Sequence, residues 1–155
     1  MIKLDDDIYV NITKFDEYFS QNPNKDTIHC FEMKGTKPVR DPTSQWYVSK
    51  EVWQPEIYPP YCSGMAYILT PKIGESLYQA YLNNFVESPI WFEDVFITGI
   101  LARYANVQRT QLGFKMAYIG LLGKNLDFFV AHPFLLSDVR KTPKQRLESW
   151  KKLFL

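Results

Sequence analysis

The sequence predicts an α/β fold in which a mixed sheet is flanked by helices. Short apolar segments such as "TIHCFEM" and "GMAYILT" have the composition of strands, whereas apolar residues elsewhere recur every three or four positions, as in helices. The 155 residues include 46% hydrophobic and 16% aromatic side chains, which is enough for one domain with a buried core. Strands and helices alternate without an internal repeat, so we expect a single domain.

Two helices are predicted from their capping residues. Asn11 immediately precedes a stretch with helical periodicity, so we expect its side chain to cap that helix. Thr70 followed by Pro71 predicts the start of a second helix, because proline is favoured in the first turn. The inner faces are predicted to comprise Ile12, Phe15, Tyr18 and Phe19 in the first helix, and Leu77, Tyr78 and Tyr81 in the second.

Two further helices are predicted in the second half of the chain. One begins near Glu93, where acidic residues precede a long apolar pattern, and the other begins near Pro143. The helix near Glu93 is predicted to turn Phe96, Ile97, Ile100, Leu101 and Tyr104 towards the core.

The segment between the first two predicted strands is expected to be mostly irregular. It contains five prolines and four large aromatic residues, and only "WYVS" has the composition of a short strand. Further along, "QLGFKMAYIG" and "NLDFFVAHP" are predicted to be strands that pair through the glycine-containing turn between them.

Composition excludes several classes of function. The formal net charge is +1, and no cluster of basic residues is interleaved with aromatic ones, so we expect no nucleic-acid partner. No apolar run approaches the roughly 20 residues that a membrane span requires. Cys30 and Cys62 permit one bridge, but buried free thiols are the more common state, and we expect them to be unpaired.

The acidic triplet Asp5, Asp6 and Asp7 has two interpretations. Most acidic triplets are exposed turns in which water solvates the charges. This triplet, however, follows an apolar segment typical of a buried strand, and open α/β sheets bind ligands beyond the carboxyl ends of their strands. The three carboxylates are therefore also candidate metal ligands.

Two other sites place charge among apolar residues. Glu93 and Asp94 either cap a helix, since acidic residues favour its first turn, or supply a carboxylate base. His132 ends an apolar segment and is either structural or, beside an acidic site, a ligand suited to Mn²⁺. Zinc is disfavoured because no second His or Cys lies at a typical zinc-site spacing. His29 is interpreted as structural.

The segment "YPPYCSGMAYILT" also has two interpretations. It either forms a rigid turn before a core strand, or Ser63 and Gly64 allow a ligand to approach the backbone closely.

Four motifs in this order and spacing resemble the beta-1,3-galactosyltransferase and beta-1,3-N-acetylglucosaminyltransferase family, whose wider relatives include the Fringe enzymes. They are "KLDDDIYVN", "SQWYVSKEVW", "IYPPYCSGMAYILT" and "WFEDVFITGIL". The resemblance implies the C-terminal part of a GT-A type glycosyltransferase domain, with residues 1–155 forming one partial catalytic domain that lacks the N-terminal nucleotide-binding half. It also implies an inverting, Mn²⁺-dependent enzyme that transfers galactose or an N-acetylhexosamine from a UDP-sugar to a glycan acceptor in beta-1,3 linkage.

The resemblance also implies a role for particular residues. Asp94 corresponds to the catalytic base, and Asp7 and His132 correspond to Mn²⁺ ligands. Asp5 and Asp6 are expected to help hold the donor, and Glu93 to orient the base or bind sugar. The remaining expected contacts with donor or sugar rings are Trp46, Tyr47, Tyr61, Ser63 and Gly64.

Two positions depart from the family pattern. Ala66 stands where glycine is usual and would be strained if that position required a positive φ. Ile100 stands near a usual cysteine, so any bridge made by that cysteine is absent.

The expected location is the lumenal side of the Golgi membrane, with no membrane segment in this chain and no prediction of oligomeric state. Two alternatives remain: a truncated, non-catalytic family member that binds a glycan or another partner, and a metal-dependent hydrolase.

Overall fold

A computed structural model of the chain describes most of residues 1–112 and short segments beyond them. The described residues fall into two compact units, one formed by residues 1–3 and 26–111 and the other by residues 4–25 and 112–155. The described ranges are 1–6, 8–22, 26–84, 90–112, 116–118, 130–132, 142 and 144–145. In chain order the elements are β1 (Ile2–Leu4), β2 (Tyr9–Val10), α1 (Ile12–Gln21), β3 (Thr27–Met33), β4 (Tyr61–Ile68), α2 (Pro71–Asn83), a π-helix (Val95–Leu101), α3 (Ala102–Tyr104), β5 (Gln108–Gln111), β6 (Met116–Tyr118) and β7 (Val130–His132).

The first unit is built on a four-stranded mixed sheet with the strand order β1-β4-β3-β5. Strand β3 pairs antiparallel with β4 and parallel with β5. The prediction of a mixed sheet with flanking helices is confirmed, and β3 coincides with the predicted "TIHCFEM" segment. Strand β4 begins at Tyr61, earlier than predicted, because its first residues continue the pairing with the end of β3.

Helix α2 starts as predicted but buries a different face. The Ile73 amide donates to the Thr70 hydroxyl over 3.2 Å, and Pro71 occupies the first turn. Tyr78 and Tyr81 are 55% and 48% exposed, so the predicted inner stripe is wrong at both positions. The buried residues are Ile73, Leu77 and Ala80, which follow one another at i, i+4 and i+7.

The helical segment near Glu93 is confirmed, but its centre is a π-helix over Val95–Leu101. Leu101 is buried as predicted, and Phe96, Ile97 and Ile100 are partly buried and pack against the core, also as predicted. Tyr104, predicted to face the core, is exposed. The buried residues of this segment are Val95, Thr98, Gly99, Leu101 and Ala102.

A disulfide joins Cys30 on β3 to Cys62 on β4, with a Cα–Cα distance of 5.5 Å. Both residues are fully buried in the core. The expectation of free thiols is therefore wrong. The strands are adjacent and antiparallel, and the irregular register between Cys30 and Glu32 brings the two cysteines within bonding reach.

The long connection between β3 and β4 has little regular structure, as predicted. The short "WYVS" strand is not formed: Tyr47 makes only an isolated bridge to Val39. Instead, the Arg40 guanidinium organises the loop by donating to four main-chain carbonyls. These acceptors are Val48 at 2.8 Å, Ser49 at 2.8 Å, Trp53 at 2.6 Å and Pro55 at 3.2 Å.

The second unit contains α1 and a three-stranded sheet with the order β2-β7-β6. Asn11 caps α1 as predicted, accepting from the Lys14 amide over 3.2 Å, but Ile12 is 64% exposed and does not face a core. Strands β6 and β7 are parallel, so the predicted hairpin between them is wrong. Of the helix predicted near Pro143, only Lys144 and Gln145 lie within the described residues, and both are helical.

Candidate active site

The Asp94 carboxylate lies half-buried at the start of the helical segment that contains the π-helix. Its Oδ1 accepts from the Val95 amide over 2.8 Å, and its Oδ2 accepts from the Gly64 amide over 3.0 Å. Burial raises the pKa of Asp94, the two amides lower it, and the neighbouring Glu93 raises it, leaving the pKa above its usual value. Asp94 is thus fixed in position and binds a proton more readily than an exposed aspartate does.

Glycine at position 64 makes this geometry possible. A Cβ atom at Gly64 would lie 3.1 Å from Asp94 Oδ2, closer than ordinary van der Waals contact. Gly64 was predicted to admit a ligand, and the structure places the side chain of Asp94 against it.

A second set of contacts holds Glu93. The buried Tyr67 hydroxyl donates to Glu93 Oε1, and Lys3 Nζ lies 3.6 Å from Glu93 Oε2. Lys3 Nζ also donates to the Gly64 carbonyl. Burial and the adjacent Glu93 raise the pKa of Tyr67, which therefore remains a hydrogen-bond donor at neutral pH.

Neither Lys3 nor Tyr67 was predicted as a site residue. Lys3 offered one usable signal, because it is a cation between the apolar residues Ile2 and Leu4 of β1. Tyr67 offered none, because an aromatic residue in a strand most often belongs to the core.

Asp94 lines a cavity of about 260 Å³ that contains three predicted site residues, Trp46, Tyr61 and Asp94 itself. Trp46 is 57% exposed, and its ring lies 5.9 Å from that of Phe92, which was not predicted. The other lining residues are Thr36, Lys37, Val39 and Tyr58. This cavity combines aromatic surface with a carboxylate, which is the usual composition of a site that binds a small molecule.

Tyr58, another residue that lines this cavity, has a buried hydroxyl without a hydrogen-bond partner among the described residues. In the described part of the chain, its hydroxyl is the buried side-chain oxygen or nitrogen that lacks a hydrogen-bond partner. Buried hydroxyls are almost always paired, so this unpaired hydroxyl is an exception within the core of the first unit.

Two further residues of β4, Ser63 and Ala66, were singled out from the sequence. Ser63 is half-buried next to Gly64. Ala66 does not have a positive φ, so the strain considered at this position is absent.

The acidic triplet is only partly described. Asp5 and Asp6 are exposed in a turn in which the Ile8 amide donates to the Asp5 carbonyl over 3.3 Å. Asp7 and the side chain of His132 lie outside the described residues. The buried His29 lies 3.5 Å from the Thr27 hydroxyl, which agrees with its interpretation as structural.

The backbone register nevertheless relates His132 to the triplet. In the antiparallel pair of β2 and β7, Tyr9 faces Ala131 and Val10 faces Val130. Continued by one position beyond β2, this register would place His132 opposite Ile8, the residue that follows the triplet. Within the described residues, no group of three or more His, Cys, Asp or Glu side chains is arranged to bind a metal ion.

No helix in the described part of the chain is long and apolar enough to cross a membrane.

Comparison with known proteins gives consistent matches. The sequence model of the galactosyltransferase family matches residues 1–113. The lactosylceramide 1,3-N-acetyl-beta-D-glucosaminyltransferase of Homo sapiens is 30% identical over 101 residues, which cover 63% of this chain and 26% of that protein. A beta-1,3-galactosyltransferase of Arabidopsis thaliana is 30% identical over 115 residues, which cover 68% of this chain and 18% of that protein. Beta-1,3-galactosyltransferase 1 of Mus musculus is 30% identical over 125 residues, which cover 76% of this chain and 37% of that protein. The chain thus spans well under half the length of each of these relatives.

Proposed function

Because this chain belongs to the galactosyltransferase family, we propose that it carries the catalytic residues of an inverting, Mn²⁺-dependent glycosyltransferase with a GT-A type fold. The reaction moves galactose or an N-acetylhexosamine from a UDP-sugar to a glycan acceptor in beta-1,3 linkage. Its support in the structure is the Asp94 carboxylate, which is held by two backbone amides at the wall of a cavity lined by aromatic residues.

In this proposal Asp94 is the general base. It accepts the proton of the acceptor hydroxyl while that oxygen attacks the anomeric carbon of the donor, and the bond from that carbon to the UDP oxygen breaks on the opposite face. The raised pKa of Asp94 suits this task, because a base is most effective when its pKa approaches the working pH. Such proton transfer typically contributes about 10²–10⁴-fold in rate.

The metal site is proposed to include Asp7 and His132, supported by the register of β2 and β7, which would place His132 opposite Ile8 if continued by one position. Asp5 and Asp6 would help to hold the donor. A bound Mn²⁺ would stabilise negative charge on the diphosphate as a Lewis acid.

The aromatic residues of the cavity are proposed to bind the sugar rings. Trp46 and Tyr61 present apolar surface beside Asp94, with Phe92 supporting Trp46. Glu93 is held by Tyr67 and Lys3, so it can accept a hydrogen bond from a sugar hydroxyl without reorganising. Tyr47, Ser63 and Gly64 complete the proposed set.

We also propose that the protein acts on the lumenal side of the Golgi membrane. The disulfide between Cys30 and Cys62 supports this location, because structural disulfides persist mainly in oxidising compartments.

The test is a transfer assay on the full-length protein with a panel of UDP-sugars and glycan acceptors, with and without Mn²⁺. We expect a beta-1,3-linked product of inverted configuration, loss of activity on chelation, and a loss of about 10²–10⁴-fold in Asp94→Asn. Asp16→Asn, on the exposed side of α1, is the matched control and should retain activity.

Three results would overturn the proposal. Release of free sugar without transfer would indicate a hydrolase, and glycan binding without turnover would indicate a non-catalytic protein. Activity of Asp94→Asn within a few-fold of wild type would remove Asp94 from the role of base.

A further inference from the structure

We propose that Lys3 is a positioning residue for the transfer reaction, because it binds the carbonyl of Gly64, whose amide in turn fixes the Asp94 carboxylate. This inference rests on the proposed function. It goes beyond that proposal by assigning a role to a β1 side chain outside the substrate cavity.

The main chain at Gly64 is held on both sides of its Cα, through the two peptide groups that meet there. Its amide donates to Asp94 Oδ2 over 3.0 Å, and its carbonyl accepts from the Lys3 ammonium. A hydrogen bond to a charged donor is stronger than one between neutral groups. The position of the Gly64 amide, and with it that of Asp94 Oδ2, therefore depends on Lys3.

Lys3 makes two further contacts within the same cluster. Its Nζ lies 3.6 Å from Glu93 Oε2 and 6.0 Å from the centre of the Tyr67 ring. The ammonium thus connects β1, β4 and the residue that precedes Asp94. The Lys3 side chain is only about 30% exposed. It therefore packs within the cluster and does not extend freely into solvent.

The charge of Lys3 also affects the pKa of Asp94. The groups that act on the Asp94 carboxylate are the Val95 and Gly64 amides, the Glu93 carboxylate and the Lys3 ammonium, with Lys37, Tyr58 and Tyr61 lining the same cavity. Lys3 lowers the pKa of Asp94, whereas burial and Glu93 raise it. Removing the Lys3 charge should therefore raise that pKa further and protonate the base over a wider pH range.

The experiment compares Lys3→Met and Lys3→Arg with wild type in the full-length protein. Met retains most of the length of the side chain without its charge or its donors, and Arg retains both the charge and the donors. We expect Lys3→Met to lower kcat about ten-fold or more with a smaller change in KM, since displacing a catalytic group by about 1 Å can cost 10²-fold. We also expect the acid limb of its pH profile to move to higher pH, and Lys3→Arg to recover most of both properties.

The matched control is Lys72→Met. Lys72 forms an exposed ion pair with Asp26 over 2.5 Å and does not contact the Asp94 cluster. Its kcat and pH profile should match those of wild type.

A second measurement separates this inference from the proposed function. Isotope-edited infrared titration of the aspartate carboxyls, with Asp94→Asn used to assign the signal, reports Asp94 directly and requires no turnover. A higher midpoint in Lys3→Met supports the role of Lys3 even if no donor sugar is transferred. An unchanged Asp94 midpoint together with an unchanged pH profile in a folded Lys3→Met protein would overturn it.

Discussion

The Gly64 amide donates to Asp94 Oδ2 over 3.0 Å, at a position where any side chain on residue 64 would meet the same oxygen. Gly64 therefore holds the Asp94 carboxylate in two ways: its amide donates a hydrogen bond, and its lack of a side chain leaves room for the oxygen. A strand residue and the first turn of a helical segment 30 positions later are fixed relative to each other by this bond.

Gly64→Ala should impair catalysis more than folding. The added Cβ would lie 3.1 Å from Asp94 Oδ2, so the carboxylate must move and its hydrogen bond must lengthen. We expect kcat to fall about ten-fold or more in transfer assays, since misplaced catalytic groups are costly. Gly74→Ala is the control: its Cβ would meet the flexible ends of Met1 and Leu69, and alanine is favoured within a helix. Equal activities of the two variants would contradict the prediction.

Asp94→Asn should change stability in a pH-dependent way. The folded-state pKa of Asp94 is raised, so its contribution to stability is present at low pH, where the group is protonated, and is lost as the pH rises through the folded-state pKa. The asparagine side chain of the variant does not ionise, so the variant does not lose stability in this way as the pH rises. The Tm of Asp94→Asn minus that of wild type should therefore increase as the pH rises from about 4, the usual aspartate pKa, through the raised folded-state pKa, as measured by calorimetry. A difference that decreases with pH would show that the pKa is lowered instead.

Loss of the disulfide should destabilise the first unit. The bridge closes a separation of 32 residues, for which the loss of chain entropy on cross-linking corresponds to about 3–4 kcal/mol. Cys30→Ala with Cys62→Ala should lower the free energy of unfolding by this amount in guanidinium titrations. Reduction of the wild-type protein should have the same effect, and reduction of the double variant should have none.

The double variant Cys30→Ala, Cys62→Ala should also have lower transfer activity than wild type in the same transfer assay. The Cys62 amide donates to the Thr98 hydroxyl over 2.8 Å, and that hydroxyl donates to the Asp94 carbonyl. A looser β4 therefore disturbs the segment that carries the base.

Arg40→Lys should disorder the loop between β3 and β4. A lysine has a single ammonium and cannot reproduce the planar set of donors that reaches four carbonyls. We expect a loss of at least about 2 kcal/mol in stability and faster proteolysis within residues 40–56. Arg103→Lys, at an exposed position in α3, is the control and should behave like wild type. Unchanged proteolysis in Arg40→Lys would show that the loop is held by other contacts.

Asp7→Asn and His132→Ala should each weaken binding of Mn²⁺. Even groups that only support a ligand contribute about 10–100-fold to metal affinity, so a ligand should contribute at least as much. Titration with Mn²⁺ monitored by electron paramagnetic resonance measures this directly, with Asp16→Asn as the control. Wild-type affinity in both variants would remove these residues from the metal site.

The sequence was most informative where structure depends on near neighbours. The caps Asn11 and Thr70 and the strand Thr27–Met33 follow from residues within a few positions of each other, and all are confirmed. The grouping of Trp46 and Tyr61 with Asp94 came from a family resemblance, and the structure places them on one cavity.

The wrong predictions concern features that depend on contacts between segments distant in sequence. Helical periodicity did not show that Ala80 rather than Tyr81 faces the core, because that choice depends on the neighbouring elements. The disulfide depended on a register irregularity between two strands, and Lys3 gained its role from contacts with β4 and Glu93. No local pattern carries this information.

The Arg40 hub has a consequence for how the protein can diverge. Its guanidinium binds only main-chain carbonyls, which every amino acid supplies, so the identities of Val48, Ser49, Trp53 and Pro55 are not needed to keep the loop folded through these bonds. Substitutions can therefore accumulate along this loop, including at Trp46 on the cavity, while its backbone course is kept. A single arginine side chain would thus keep the backbone course of this loop in variants that differ in its other side chains.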